Sequence, residues 1–346
     1  MSTRQTTRGR LDAAGDRTPM TAPHAADFGV VPFDLPARIE PDRQAVYGLG
    51  PRMDLARDLA AARAAAAERV AAAAPIPQTD VLWRDLSVPG AAGDPVVLVR
   101  HYRPAGAAGA TAALLWVHGG GHVMGSIEID HPNMVGLVRE VGCSVVAAEW
   151  RQAPEHPFPA AHDDCFAALR WMLDHAEELG IDASRYGIGG GSSGGGVAAG
   201  IALRARDEHL PPASILLLVN PMLDDRNDSL TAQAGKVEGT WNHESNAFGW
   251  RAYLGGATEP PPYAVPGRHL DLGGLPPTLI GIGDIDMFLQ ESLDFASRLS
   301  AAGTPVELHV YPGALHGWSS MPGDSARKAQ FLRDRDEALR QAFAAR

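Results

Sequence analysis

The stretch GIGGGSSGGGVAAG, Gly187 to Gly200, sets two adjacent serines in a run of glycines. A serine becomes an acyl-transfer nucleophile where a strand turns sharply into a helix, a turn that reads Gly-x-Ser-x-Gly. The residues two before and two after it must be small, because strand and helix approach closely there. Two frames satisfy this: Gly190-Gly191-Ser192-Ser193-Gly194 and Gly191-Ser192-Ser193-Gly194-Gly195. Spacing does not choose between Ser192 and Ser193. The same letters also hold a dinucleotide-loop pattern, Gly189-Gly190-Gly191-Ser192-Ser193-Gly194. That reading requires an acid closing the next strand. Asp207 and Glu208 lie at the right distance but end a helical segment instead, and no Gly-Lys-Ser/Thr follows to make a phosphate loop.

A serine nucleophile needs an oxyanion site, a base and an orienting acid, here in the chain order Ser, Asp/Glu, His. Upstream, WVHGGGHVMGS (116–126) follows an apolar run. Its His118-Gly119-Gly120-Gly121 leaves backbone N–H groups bare of side chains, as an oxyanion site demands. Downstream, three histidines follow the 222–262 segment: His269, His309 and His316. His269 falls too early, in a Pro/Gly loop, and His309 alternates within an apolar strand. His316, in YPGALHGW, sits in a loop after the last strand and is the expected base. For the acid, GDIDMFLQES offers Asp284 and Asp286 just past a strand end, where sites of open α/β sheets assemble. Asp286 is preferred and Asp284 stays open. His118 and His122 are four apart, but in a glycine loop with no third ligand, so no metal and no cofactor are expected.

These groups need a scaffold. Apolar runs at 81–88, 95–104, 112–118, 143–150, 185–190, 214–220, 277–283 and 306–312 read as strands. Helical patterns near 129–141, 161–179, 193–207, 290–302 and 324–344 alternate with the later runs, which predicts a parallel sheet covered on both faces. The first two strands add an antiparallel edge. Residues 54–74 are strong helix formers, 26–53 are irregular, and 1–25 read as a poorly ordered tail. The 222–262 segment, with Trp241, Phe248 and Trp250 and no strand, reads as an insertion over the active end of the sheet.

With 346 residues and a net charge of −11, the chain has length for a large core and no general attraction to nucleic acid or anionic lipid. No apolar run approaches the roughly 18 residues of a membrane span. Cys143 and Cys165 make no disulfide framework and fit a reducing cytoplasm. The N-terminus lacks the apolar core of a secretory signal.

The blocks HGGGHVMGS, EWRQAPEHPFPAAHDDCFAALRW, YGIGGGSSGGGVAAG, GDIDMFLQES and YPGALHGW, in this order, resemble the hormone-sensitive-lipase family of α/β-hydrolases, in its bacterial carboxylesterase branch. The resemblance covers about residues 80–345. It implies an α/β-hydrolase fold: an eight-stranded, mostly parallel sheet flanked by helices (80–346), under a helical cap from residues 26–79 and 222–262. It also implies Ser192 as nucleophile, Asp286 and His316 as its partners, and the N–H groups of Gly120, Gly121 and Ser193 as oxyanion donors. Glu155, Asp163 and Asp164 become structural supports. His122, Trp241, Phe248 and Trp250 are candidates to line the pocket, with cap packing as the competing role of the aromatics. Two positions depart from the family pattern: Gly191 stands where an acid is usual, and Ser193 where alanine is usual.

The expected activity is serine carboxylesterase action on short-chain esters, with a small-molecule ester as the one ligand. The alternatives are a lactone, amide or xenobiotic-ester hydrolase with the same triad, or a non-catalytic ligand receptor. Related esterases often pair through the last strand, so a homodimer is left open.

Overall fold

The structure, a computed structural model, describes residues 38–41, 54–91, 93–229, 231–232, 241–321, 323 and 325–344. The tail expected over 1–25, most of 26–53, and residues 233–240 of the insertion lie outside them.

Eight strands form one sheet: β1 (Val81–Val88), β2 (Val97–Pro104), β3 (Thr111–Val117), β4 (Ser144–Glu149), β5 (Ile181–Gly191), β6 (Ile215–Val219), β7 (Thr278–Gly283) and β8 (Val306–Tyr311). Their spatial order is β1-β2-β4-β3-β5-β6-β7-β8. β1 pairs antiparallel with β2, and β2 with β4; every later pairing is parallel. The helices are α1 (Leu55–Ala72), α2 (Ile127–Val141), α3 (Ala160–Asp174), α4 (Ala176–Leu179), α5 (Ser193–Asp207), α6 (His243–Leu254), α7 (Leu289–Ala301) and α8 (Ala326–Phe343).

Alternation along the central strands sorts side chains into two cores, because successive residues face opposite sides of the pleat. Leu114, Trp116, Val145, Ala147, Ile215, Leu217 and Val219 face α2 and α8. Leu115, Val117, Val146, Ala148, Leu216 and Leu218 face α3, α5 and α7. Burial on both faces explains why these strands read as unbroken apolar runs. At roughly 1.5–3 kcal/mol for each fully buried aliphatic side chain, these layers dominate the stability of the scaffold.

The continuous helix expected over 161–179 is two. His175 leaves helical geometry at φ −111°, ψ 21°, closing α3 and opening α4. Its Nδ1 donates to the Trp171 carbonyl, a local bond that takes over at the end of α3. Within the insertion, Asn242 caps α6 by accepting from the Ser245 amide at 2.8 Å, and Gly255 ends it in the left-handed region. A third, small apolar cluster joins Leu55 and Ala62 of α1 to Val123 and Ala153, with Phe248 of α6 packed against it. The N-terminal helix and the insertion thus meet over the loops at the carboxyl ends of β3 and β4.

Candidate active site

β5 runs to Gly191, and Ser192 then turns the chain into α5 with φ 54° and ψ −123°. A non-glycine residue held there costs about 1–3 kcal/mol and persists only where its surroundings impose it. They do: the Ser192 amide donates to Val219, and its carbonyl accepts from Gly195, Gly196 and Met222. The flanking glycines are dictated by contact. A Cβ on Gly194 would lie 2.2 Å from the Val117 carbonyl oxygen, and one on Gly190 2.3 Å from that of Gly194.

The Ser192 hydroxyl lies 3.0 Å from His316 Nε2. His316 Nδ1 lies 2.9 and 3.1 Å from the two carboxylate oxygens of Asp286. The carboxylate can only accept, so Nδ1 carries the proton and Nε2 is free to accept from Ser192. Asp286 is 1% exposed, and the Phe288 amide donates to its Oδ1 at 2.9 Å. The Phe288 ring meets the imidazole edge-on, with centroids 4.9 Å apart. Asp284, the other aspartate of this loop, faces away: it pairs with Arg38 and accepts from the Gly313 amide. His309 lies on β8 beside Glu307 and Asp334, and His269 stacks on Tyr263, both apart from Ser192.

Beside the elbow lies the loop after β3. Gly119 packs on it so closely that a Cβ there would come 2.9 Å from the Gly191 carbonyl oxygen. Gly120 adopts φ 134°, and its carbonyl accepts from the Val123 and Met124 amides. Among the described residues the amides of Gly120, Gly121 and Ser193 have no acceptor, so three donors stay free next to the serine. His118 is buried and donates from Nδ1 to the Gly119 carbonyl at 2.8 Å. Burial lowers its pKa to about 4, so the loop is braced by a neutral ring.

The four pocket candidates separate. Trp241 lines a cavity of about 230 Å³ shared with Ser192, His316 and the 119–121 glycines. Its ring sits where a Cβ on Gly121 would be, and its Nε1 donates to Asn246. His122, Phe248 and Trp250 are not among the residues that line this cavity. His122 is buried face to face with Tyr253 at 3.9 Å and near Trp250 at 5.0 Å, while Phe248 packs in the α1–α6 cluster. A larger cavity, about 970 Å³, opens at the other ends of the strands, around Asp182, Ser214 and Pro277, and is lined by none of Ser192, Asp286 and His316. Size is the weaker criterion here, since the smaller cavity alone brings a serine hydroxyl, an imidazole and free donors together.

Sequence reasoning missed Arg63 and Gln152, which brace the loop after β3, although it expected Glu155 as a support there. Arg63 of α1 donates from Nε to the Val123 carbonyl at 2.7 Å and from Nη2 to that of Ala153 at 2.9 Å. The same guanidinium grips both oxygens of Glu155. Gln152 donates to the Gly125 carbonyl at 2.8 Å. No local pattern signals either contact. Asp164 is a support, gripping Arg151 through side chain and amide, and Asp163 pairs with Arg204. No helix among the described residues is long and apolar enough to cross a membrane, and no three His, Cys, Asp or Glu side chains there could hold a metal ion.

The sequence profile described as "alpha/beta hydrolase fold" matches residues 114–320. Esterase LipI of Mycobacterium tuberculosis is 34% identical over 242 residues, 69% of this chain and 75% of that protein. The solved structure of a bacterial heroin esterase is 37% identical, covers 89% of this chain and 99% of its own, and superposes with a TM-score of 0.84. That of esterase LipW from Mycobacterium marinum is 36% identical, covering 90% and 98%, with a TM-score of 0.77. The chain belongs to the α/β-hydrolase family, in the hormone-sensitive-lipase group that includes bacterial carboxylesterases.

Proposed function

We propose that the protein is a serine carboxylesterase acting on short-chain carboxylic esters through an acyl-enzyme. The observation that carries the reading is the Ser192–His316–Asp286 relay, with contacts of 3.0 and 2.9 Å, beside three unengaged N–H groups. His316 Nε2 takes the Ser192 proton as Oγ attacks the ester carbonyl carbon. The oxyanion is received by the amides of Gly120, Gly121 and Ser193. Its collapse breaks the bond to the alkoxy oxygen, which leaves as the alcohol with the proton held by His316. Water then attacks the acyl carbon, giving a proton to His316. The second collapse releases the acid and returns that proton to Ser192. Asp286 stays ionised throughout, holding Nδ1–H and stabilising the imidazolium.

Hydrolysis of p-nitrophenyl esters of graded acyl length tests the reading, with Ser192→Ala and His316→Ala as controls. Turnover by the wild type and its loss in both variants is expected; an inactive wild type on every ester and lactone refutes it. The similarity to the bacterial heroin esterase favours a second reading of the same site, hydrolysis of xenobiotic esters.

A further inference from the structure

Gly191 is the one glycine of the elbow whose backbone does not require it. A Cβ on Gly190, Gly194 or Gly196 would lie 2.2–2.3 Å from a backbone oxygen. A Cβ on Gly191 would meet nothing nearer than Trp116 Cζ2 at 3.7 Å and the Val219 carbonyl oxygen at 4.0 Å. Its φ is not in the left-handed region. On the same face of β5, the space beside Gly187 and Gly189 is filled by Ile215, Leu217 and Leu114. Only beside Gly191, next to the nucleophile, does that face stay open.

The open space is part of the cavity that holds Ser192. Its wall continues past Trp116 to Asp130 and Met134 on α2 and to Phe331 and Arg335 on α8. The two charged groups on this wall are occupied. Asp130 accepts from Trp116 Nε1 at 2.7 Å, and burial raises its pKa, which disfavours an anionic wall. Arg335 is turned onto Asp336 at 2.8 Å. Beside them Trp116, Met134 and Phe331, each no more than 6% exposed, form an apolar slot, while Asn133 and Ser319 line other parts of the same cavity. The Asp130 bond also holds the Trp116 ring in place as one side of the slot.

We propose that Gly191 opens an acyl side pocket, which makes esters of bulky apolar acids, branched or aryl, better substrates than acetates. This rests on the serine-esterase reading of the same site. The occupant is the acyl part rather than the alcohol for a chemical reason. The alcohol must leave while the acyl group is still bonded to Ser192, and water must then reach that carbon. A slot whose walls are buried beneath α2 and α8 suits the group that stays. At roughly 30 Å³ per water-sized group, about 230 Å³ holds acyl groups of roughly five to eight carbons.

The test fills the slot from two sides, with Gly191→Leu and Met134→Trp. The substrates are p-nitrophenyl acetate, isovalerate and phenylacetate, which share one leaving group, and acetates of small and bulky alcohols. The wild type is expected to favour isovalerate or phenylacetate over acetate in kcat/KM. Gly191→Leu and Met134→Trp should each lower that ratio at least tenfold. A thermal melt identifies a filled variant that fails to fold, and the other then decides. Equal losses on acetate and bulky acyl esters overturn the proposal. So does a shift in alcohol preference with acyl preference intact. A wild type inactive on every ester fails the underlying esterase reading instead, and is distinct from both.

Discussion

Replacing Arg63 with alanine should loosen the oxyanion loop from a helix more than fifty residues upstream of it. The guanidinium makes four contacts: the Val123 and Ala153 carbonyls at 2.7 and 2.9 Å, and the two Glu155 oxygens at 2.7 and 2.9 Å. A part-buried carbonyl stripped of its donor costs about 1–3 kcal/mol. The Glu155 side chain is 54% exposed, so solvent screening limits the ion pair to about 1 kcal/mol or less. Arg63→Ala should therefore cost about 2–4 kcal/mol of stability, mostly from the two carbonyls. Catalysis is touched through Val123, whose amide donates to the Gly120 carbonyl in the turn that carries a proposed oxyanion donor. Deleting such a donor costs about 10²–10³ in kcat, and loosening its turn should cost about tenfold. Steady-state kinetics and thermal melts on Arg63→Ala, Arg63→Lys and Glu155→Gln separate the effects. Lysine restores charge but not the fork, so it should recover only part of kcat. Glu155→Gln keeps both carbonyl bonds and should leave kcat within twofold. An Arg63→Ala enzyme with full kcat and a lowered melting temperature would make this contact purely structural. A Glu155→Gln loss as large as that of Arg63→Ala would place the effect in the ion pair and refute the carbonyl argument.

The two serines should behave asymmetrically: Ser192→Ala abolishes ester turnover, while Ser193→Ala keeps it. The Ser193 hydroxyl is fully buried with no partner among the described residues, so losing it should raise stability by up to about 1 kcal/mol, read by thermal melting. Asp286→Asn should lower kcat by about 10⁴ by disturbing the His316 tautomer, whereas Asp284→Asn, at the Arg38 pair, should change kcat less than threefold. Acid should destabilise the fold through buried histidines. Burial lowers His118 and His122 from 6.5 to about 4 and about 3, so they take up protons on unfolding before they do so in the fold. Their contribution is full above pH 6.5 and is lost as pH falls toward 4, with each histidine adding at most ~1.4 kcal/mol of lost stability per pH unit. Melting temperature against pH should show this slope, and His122→Phe, within the Tyr253 and Trp250 rings, should flatten it; an unchanged slope would refute it.

What was legible in the sequence was what local pattern controls. The β3, β5, β6 and β7 runs are apolar because both faces are covered, so length and flanking glycines marked them as strands. Chain order led to the expectation of a base in the loop after β8 and an acid after β7, and His316 and Asp286 in those loops do lie within hydrogen-bond distance of each other, since the carboxyl ends of parallel strands converge. Asp284 and Asp286 were harder, because two residues apart on a loop carries no face. Their separation lies in tertiary partners: a Gly313 amide and Arg38 draw one outward, while the Phe288 amide and His316 hold the other. Trp241 and Trp250 are alike in letters and sit nine apart, yet one lines the cavity and the other is buried in the core cluster on the α3, α5 and α7 face of the sheet.

The glycines carry the same division further. Gly190, Gly194 and Gly196 report on neighbours that no sequence window contains: a carbonyl of α5, the end of β3 and the turn after β6. As letters they are indistinguishable from Gly191, which has no such neighbour. A motif scan reads all of them as one elbow, and backbone crowding accounts for most of it. Gly191 is left over, directly beside Ser192, at the position where the family pattern it resembles has an acid. Its missing side chain is therefore not a requirement of the turn. It adds volume to the cavity beside Ser192, which, on the acyl-pocket proposal, makes substrate size the property most exposed to a change at this position.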